Sequence, residues 1–122
     1  KDSSGEVANL ATYRAAAPAA TLLVGDETIL PDAMAAGWKG SISGASNVVG
    51  NWLSNWLQNP CEERWKLLQT ALKTIRKGPQ PALNKAVLAA LGVISRPDVR
   101  LPLSPADPTE CLEVLRDRLG IQ

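Results

Sequence analysis

From Val48 onward the apolar residues Val49, Trp52, Leu53, Trp56 and Leu57 recur at intervals of three and four, the spacing that lines one face of an α-helix. The same rhythm returns in Trp65, Leu68, Leu72 and Ile75, and again in Leu112, Leu115 and Leu119, so amphipathic helices are expected there too. Both of these later helices have marked starts. Asn59-Pro60-Cys61-Glu62 and Asp107-Pro108-Thr109-Glu110 each offer a cap residue, Pro at the first helical position and Glu at the third. Glu62 and Glu63 suit the positive end of the first, and Lys73, Arg76 and Lys77 its negative end, before Gly78-Pro79 stops it. A further helix is expected from about Pro81 to Leu91, with Gly92 after it, and the last from Pro108 to Leu119. Between these two, Pro97, Pro102 and Pro105 impose an extended connection.

The first third of the chain has a different pattern. Ser3 and Glu6 have the spacing of a capping box, which predicts a helix from about Ser4 to Ala16, stopped by Pro18. Thr21–Gly25 is apolar on both faces and reads as a short buried strand. A short helix from about Leu30 to Ala36, closed by Gly37, leads to a second strand over Lys39–Ser43. A connection that carries a helix is too long for a hairpin, so the two strands should be parallel, in a right-handed βαβ unit. The order is therefore α-β-α-β-α followed by three helices, with a seam near Asn59. Two parallel strands cannot cover both faces and both edges of a sheet, which suggests an excerpt of a larger fold. Lys1 in place of Met points the same way.

Composition narrows the chemistry. The 122 residues carry 13 Lys+Arg against 12 Asp+Glu, too even a balance for a protein that neutralises nucleic-acid phosphates. Histidine is absent, which removes Ser-His and Cys-His nucleophile pairs and the usual zinc sites within this chain. Any chemistry falls to lysine, carboxylate, hydroxyl or thiol. Cys61 and Cys111 read as small apolar helix residues, and with no signal peptide and no apolar run of membrane-spanning length a reducing cytoplasm is expected, with no membrane partner.

In parallel α/β folds the functional loops leave the C-terminal ends of the strands. Gly25-Asp26-Glu27-Thr28 and Ser43-Gly44-Ala45-Ser46-Asn47 would share that face. Lys1-Asp2-Ser3 precedes a helix leading to the next strand and would mark a third strand end beside them.

The motifs Lys1-Asp2-Ser3-Ser4-Gly5, Leu23-Val24-Gly25-Asp26-Glu27, Gly37-Trp38-Lys39-Gly40-Ser41-Ile42-Ser43 with Asn47, and Val99-Arg100-Leu101-Pro102-Leu103 follow one another along the whole chain. In order and spacing this set resembles the C-terminal part of the dihydrodipicolinate synthase/N-acetylneuraminate lyase family. The resemblance implies the last strands of a (β/α)8 TIM barrel over residues 1–58 and a three-helix C-terminal extension over 59–122. It implies a lyase that forms or cleaves a C–C bond by aldol chemistry on pyruvate, with Lys1 as the Schiff-base lysine and no cofactor or metal. Gly25 would leave room for substrate, Ile42 would line the pyruvate end through its backbone, and Glu27, Thr28 and Ser43 would face an aldehyde or keto-sugar-acid. A homo-oligomer, dimer or tetramer, and an N-terminal barrel half as partner are implied as well.

The chemistry suits a lysine. A desolvated neutral amine attacks a ketone, and the protonated imine then accepts electrons from the neighbouring carbon. The chain also departs from the family. Gln80-Pro81-Ala82-Leu83-Asn84-Lys85 stands where the synthase branch carries N-P-I-P-V-K, and Gly44 and Thr28 stand where the sialate lyase branch places a Ser and an acid. A 2-keto-acid or 2-keto-3-deoxy-sugar-acid aldolase fits the pattern at least as well. The Gly-Thr-Thr carboxylate pocket and proton-relaying tyrosine of the family are not in these residues, and Tyr13, expected on a helix surface, does not match that tyrosine.

Each of these features has a plainer counterpart. Lys1 could be a solvated terminal charge, Asp26-Glu27 a helix-start acid pair, Trp52, Trp56 and Trp65 core or subunit contacts, and the Glu62–Lys77 charges a solvated face. The competing reading of the whole chain is a non-catalytic helical assembly module that completes another chain.

Overall fold

The computed structural model describes residues 1–121 and divides the chain into two compact units, Lys1–Ser43 and the residues from Gly44 onward. That break falls ahead of the seam expected at Asn59. The helix expected before the seam packs with the helices after it.

In the first unit, three extended segments lie side by side and parallel, bridged at Asp2–Val24 and Val24–Ser41. The registers are set by Asp2 N–H to Leu23 O (3.0 Å), Gly25 N–H to Asp2 O (2.6 Å), Val24 N–H to Gly40 O (3.0 Å) and Ile42 N–H to Val24 O (2.9 Å). The parallel direction is as expected, but the strands predicted over Thr21–Gly25 and Lys39–Ser43 are reduced to these single bridges. Gly40, at φ 144°, takes a conformation closed to side-chain-bearing residues and interrupts the third segment just before its bridge. Val24, in the middle, is fully buried, as its two-faced apolar surroundings predicted.

Helix α1 (Val7–Ala16) starts three residues later than expected, and the Ser3–Glu6 capping box is absent. Gly5, at φ 75°, turns the chain between the two, and Glu6 precedes α1 with no side-chain cap. Ser4 Oγ accepts from the Glu6 N–H (3.2 Å) and donates to Asp2 Oδ2 (2.8 Å). A 3-10 turn, Glu27–Ile29, runs into α2 (Leu30–Ala35), which Gly37 closes at φ 79°. Leu10, Leu30, Ala33 and Trp38 form the core with Val24, and the Trp38 indole N–H donates to Leu10 O (3.1 Å). Arg14 fastens the loops below α1, its guanidinium donating to the carbonyls of Pro18 (3.3 Å), Ala20 (3.1 Å) and Gly37 (2.9 Å).

The second unit is helical: α3 (Ser46–Gln58), α4 (Glu62–Lys77), α5 (Ala82–Ala90) and α6 (Thr109–Leu119). Helix α3 packs on α4 and α5, and α4 on α6. No strand lies between Glu62 and Leu91 among the described residues. The predicted face of α4 is the buried one, with Leu68, Leu72 and Ile75 at 2%, 0% and 1% exposure, and the aligned Leu112, Leu115 and Leu119 of α6 are buried too. On α3, which is kinked at Val49 (φ −119°, ψ 23°), Val49, Leu53 and Trp56 are buried and Trp52 faces out.

The two marked helix starts behave differently. Asp107 Oδ1 accepts from both the N–H (2.9 Å) and the hydroxyl (2.6 Å) of Thr109, the first residue of α6, but the residue at the helix boundary is Pro108, one place later than its sequence suggests. At α4 the helix begins after Cys61, not at Pro60, and Asn59 caps nothing. Instead the Trp56 indole N–H donates to Cys61 O (3.1 Å), and Trp56 and Trp65 pack with ring centres 4.8 Å apart. These two tryptophans are core residues. No helix among the described residues is long and apolar enough to cross a membrane.

Candidate functional site

The parallel bridges bring Lys1, Asp2 and Ser3 alongside Gly25, where the second extended segment turns away. Gly25 is approached so closely that a Cβ there would meet the Ser3 hydroxyl and stand 2.6 Å from Lys1 Cε. Only a residue without a side chain lets the lysine stem lie across this backbone. The Lys1 side chain is exposed and also lines a hollow of about 180 Å³ with Asp2, Tyr13, Leu22 and Trp38. Tyr13 lies edge-on to Trp38, with ring centres 6.3 Å apart.

The acidic segment follows directly. Asp26 caps the 3-10 turn, its Oδ1 accepting from the Thr28 N–H (2.9 Å) and the Thr28 hydroxyl (2.5 Å). Asp26 Oδ2 lies 2.7 Å from the position of a Cβ on Gly5, so this turn is also seated against the start of the chain. Glu27 is 1% exposed, which is unusual for a carboxylate on a turn. Asp2 is held below the ordinary carboxylate pKa, first by the Ser4 backbone N–H and then by the Ser4 hydroxyl, and so stays an anion near Lys1.

Lys1, Gly25, Glu27, Thr28, Ile42 and Ser43, the site residues expected from sequence, all belong to the first unit. Lys1 and Gly25 are brought into contact. Glu27 is inside the fold, and Thr28 has its hydroxyl committed to Asp26. Ile42 spends its N–H on Val24 and exposes its side chain, while Ser43 is half-buried. Sequence reasoning missed the part played by Asp26, although an acid two residues before a Thr is a recognisable side-chain cap. It also missed Tyr13 and Trp38 beside Lys1, since nothing in the spacing of a solvated helix face marks which neighbour it meets. Among the described residues no cluster of ligating side chains could hold a metal ion.

Three parallel extended segments with helices between them, and the lysine packed on a glycine at the end of one, place the first unit in the α/β class. The model of the dihydrodipicolinate synthetase family matches residues 1–118, and the chain belongs to that family. A 4-hydroxy-tetrahydrodipicolinate synthase of Wolbachia pipientis subsp. Culex pipiens (strain wPip) is 37% identical over 125 residues, covering 95% of this chain and 40% of its own length. One from Chlamydia pneumoniae is 32% identical over 108 residues, covering 88% of this chain and 37% of its own. The solved 4-hydroxy-tetrahydrodipicolinate synthase of Methylacidiphilum fumariolicum SolV superposes with a TM-score of 0.78 at 25% identity, over 98% of this chain and 42% of that one. A monomeric dihydrodipicolinate synthase variant shares the fold at a TM-score of 0.79, over 45% of its length. The chain thus spans less than half the length of these relatives, and its fold is that of part of a (β/α)8 barrel enzyme.

Proposed function

We propose that the protein to which this chain contributes is a pyruvate-dependent lyase that works through an imine on Lys1. The observation that carries the reading is the packing of Lys1 Cε against Gly25 at the end of a parallel extended segment, in a chain of this family. The Nζ of Lys1, as the free amine, attacks the ketone carbon of pyruvate, and water leaves as the imine forms. Loss of a methyl proton gives an enamine. Its carbon adds to an aldehyde, or in the reverse direction is released as a keto-sugar-acid is cleaved, and water returns the lysine. The reaction needs no metal or cofactor.

In this reading Gly25 leaves the path to the amine open, and the carbonyl side of Ile42 borders the pyruvate end. Glu27, Thr28 and Ser43 bear on the second substrate, with Asp26 fixing the Thr28 side chain. Residues 1–58 would belong to the barrel, and 59–122 would form a three-helix extension. An N-terminal barrel half, a cytoplasmic location and a dimer or tetramer complete the proposal.

The test is borohydride reduction of the whole protein with pyruvate, followed by peptide mapping. A reduced pyruvate adduct on the Lys1 side chain is expected, and it should vanish together with turnover in Lys1→Ala. Lys1→Arg should fail as well, since a guanidinium stays protonated and forms no imine. Turnover and trapping that survive Lys1→Ala would overturn the assignment, and a protein that traps no pyruvate at all would fit the assembly-module reading instead.

A further inference from the structure

Of the tryptophans that recur along α3 and α4, Trp56 and Trp65 fill the core and Trp52 does not, with its ring 40% exposed. It lines a groove inside the helical unit, where α4 packs on both α3 and α6. Trp52, Asn55 and Trp56 of α3 form one wall, at the spacing of a single helix face, and Arg64, Leu67 and Leu68 of α4 repeat that spacing on the other. Arg118 and Leu119 close it from the end of α6, and the hollow so formed measures about 200 Å³.

The floor is apolar. Trp56, Leu68 and Leu119 are buried there, while Trp52 and Leu67 keep 40% and 41% of their surface in solvent. Both charged residues of the lining are arginines, and no carboxylate stands among them. Among the described residues neither Arg64 nor Arg118 enters an ion pair, although the same helices form pairs elsewhere, Glu62 with Lys66 and Lys77 with Glu110. Two guanidinium groups beside an exposed indole and an exposed leucine call for a ligand that is both anionic and apolar.

We propose that this groove is a binding site for a small anion with a flat apolar body, of which an aromatic carboxylate is the plainest example. The ring lies against Trp52 and Leu67, and the carboxylate accepts hydrogen bonds from Arg64, Arg118 or Asn55. Charge complementarity selects the anion, because a cation would meet two like charges and a neutral ring would leave both guanidinium groups unanswered. Size selects a small molecule. A partner helix needs anchors spread along an extended groove, whereas a hollow of about 200 Å³ holds a single ring with a short side chain. The site goes beyond the lyase reading, since every residue in it belongs to the helical unit and none of its chemistry needs Lys1 or an imine.

The test titrates the whole protein with phenylacetate and follows the indole N–H signals by NMR, each assigned by its Trp→Phe variant. The Trp52 signal is expected to shift and saturate with a Kd of about 1 mM, ordinary for so small a ligand. Trp38, whose indole N–H is bonded to Leu10 O in the first unit, should not move. Phenylacetamide, the same body without the charge, should bind about 5-fold more weakly or worse, and so should phenylacetate to Arg64→Gln or Arg118→Gln. Arg96→Gln, which removes an exposed arginine paired with Asp98, should bind phenylacetate as the unsubstituted protein does. Equal binding of the acid and the amide overturns the role of the arginines, and that comparison needs no variant to fold. Acetate that shifts Trp52 as strongly as phenylacetate overturns the apolar half of the site. A Trp52 signal that never moves shows the groove filled by another part of the protein or by a second copy, and overturns the proposal. Borohydride trapping with pyruvate on the same samples should be alike in all arginine variants, so a failure of trapping bears on Lys1 alone.

Discussion

Lys1 Cε lies 2.6 Å from the point where a Cβ on Gly25 would stand, so the position of the one residue depends on the bareness of the other. In Gly25→Ala the new methyl group must displace both the Ser3 hydroxyl and the lysine stem. Because Gly25 N–H is bonded to Asp2 O at 2.6 Å, the backbone cannot easily withdraw to make room. The expected outcome is a loss of pyruvate trapping on Lys1 of about 100-fold, since a misplacement of roughly 1 Å is enough to cost that much. Mass spectrometry of the borohydride-reduced protein measures it. Trapping at the unsubstituted level would mean that the lysine reaches its substrate by another path.

Asp26 gives a second, milder test. Its carboxylate holds both the N–H and the hydroxyl of Thr28, so Asp26→Ala frees the Thr28 side chain and uncaps the turn before α2. Thr28→Val removes the hydroxyl but keeps the shape. Both should change the preference among aldehydes or keto-sugar-acids, and Asp26→Ala should do so more strongly because it releases two interactions and not one. Trapping of pyruvate on Lys1 should persist in each. Steady-state rates over a panel of second substrates check this, and a uniform loss across the panel would count against a role for Thr28 in selection.

How much of this was legible beforehand follows from the range over which each feature is decided. Helix faces such as Leu68, Leu72 and Ile75 are local and periodic, and the residues named from their spacing are the buried ones. The parallel relation of Thr21–Gly25 to Lys39–Ser43 followed from the helix between them. Caps were harder, because a Ser or Asn at the right spacing does nothing if the backbone turns first, as Gly5 does before α1. Neither Ser3 nor Asn59 caps its helix, and α1 and α4 begin instead after Glu6 and Cys61 with no side-chain cap. The groove of Trp52, Arg64 and Arg118 lay beyond sequence reasoning, since its members are distant in the chain and only packing joins them.

The two cysteines should differ in reactivity. Cys61 is half-buried at the start of α4, and the backbone N–H groups of Arg64 and Glu63 lower its pKa from the ordinary thiol value by favouring the thiolate. Cys111 is buried in α6, and desolvation, with a smaller contribution from Glu110, raises it to about 11. Near pH 8 Cys61 therefore carries the larger thiolate fraction and the greater access. A thiol reagent at limiting concentration should modify Cys61 first, and Cys111 only when the protein unfolds. Peptide mapping after timed labelling checks the order, and equal rates at the two sites in folded protein would contradict the burial of Cys111.

The helical unit should be most sensitive where α4 meets α6. Leu72 and Leu115 are both completely buried, each on the inward stripe of its helix. Replacing either by alanine removes its apolar contacts and leaves a cavity that rigid neighbours fill only in part, so a loss of about 2–5 kcal/mol is expected for each. Because the two helices pack on each other, the double variant should lose less than the sum of the single losses, the second truncation enlarging a cavity that the first has already opened. Leu67, also on α4 but 41% exposed, provides the control, and its truncation should cost under about 1 kcal/mol. Denaturant unfolding of the whole protein followed by far-UV circular dichroism measures all four variants. A Leu67 loss equal to that of Leu72 would show that the face of α4 carrying Leu67 is covered in solution, and strict additivity of Leu72 and Leu115 would show that their sites are energetically independent.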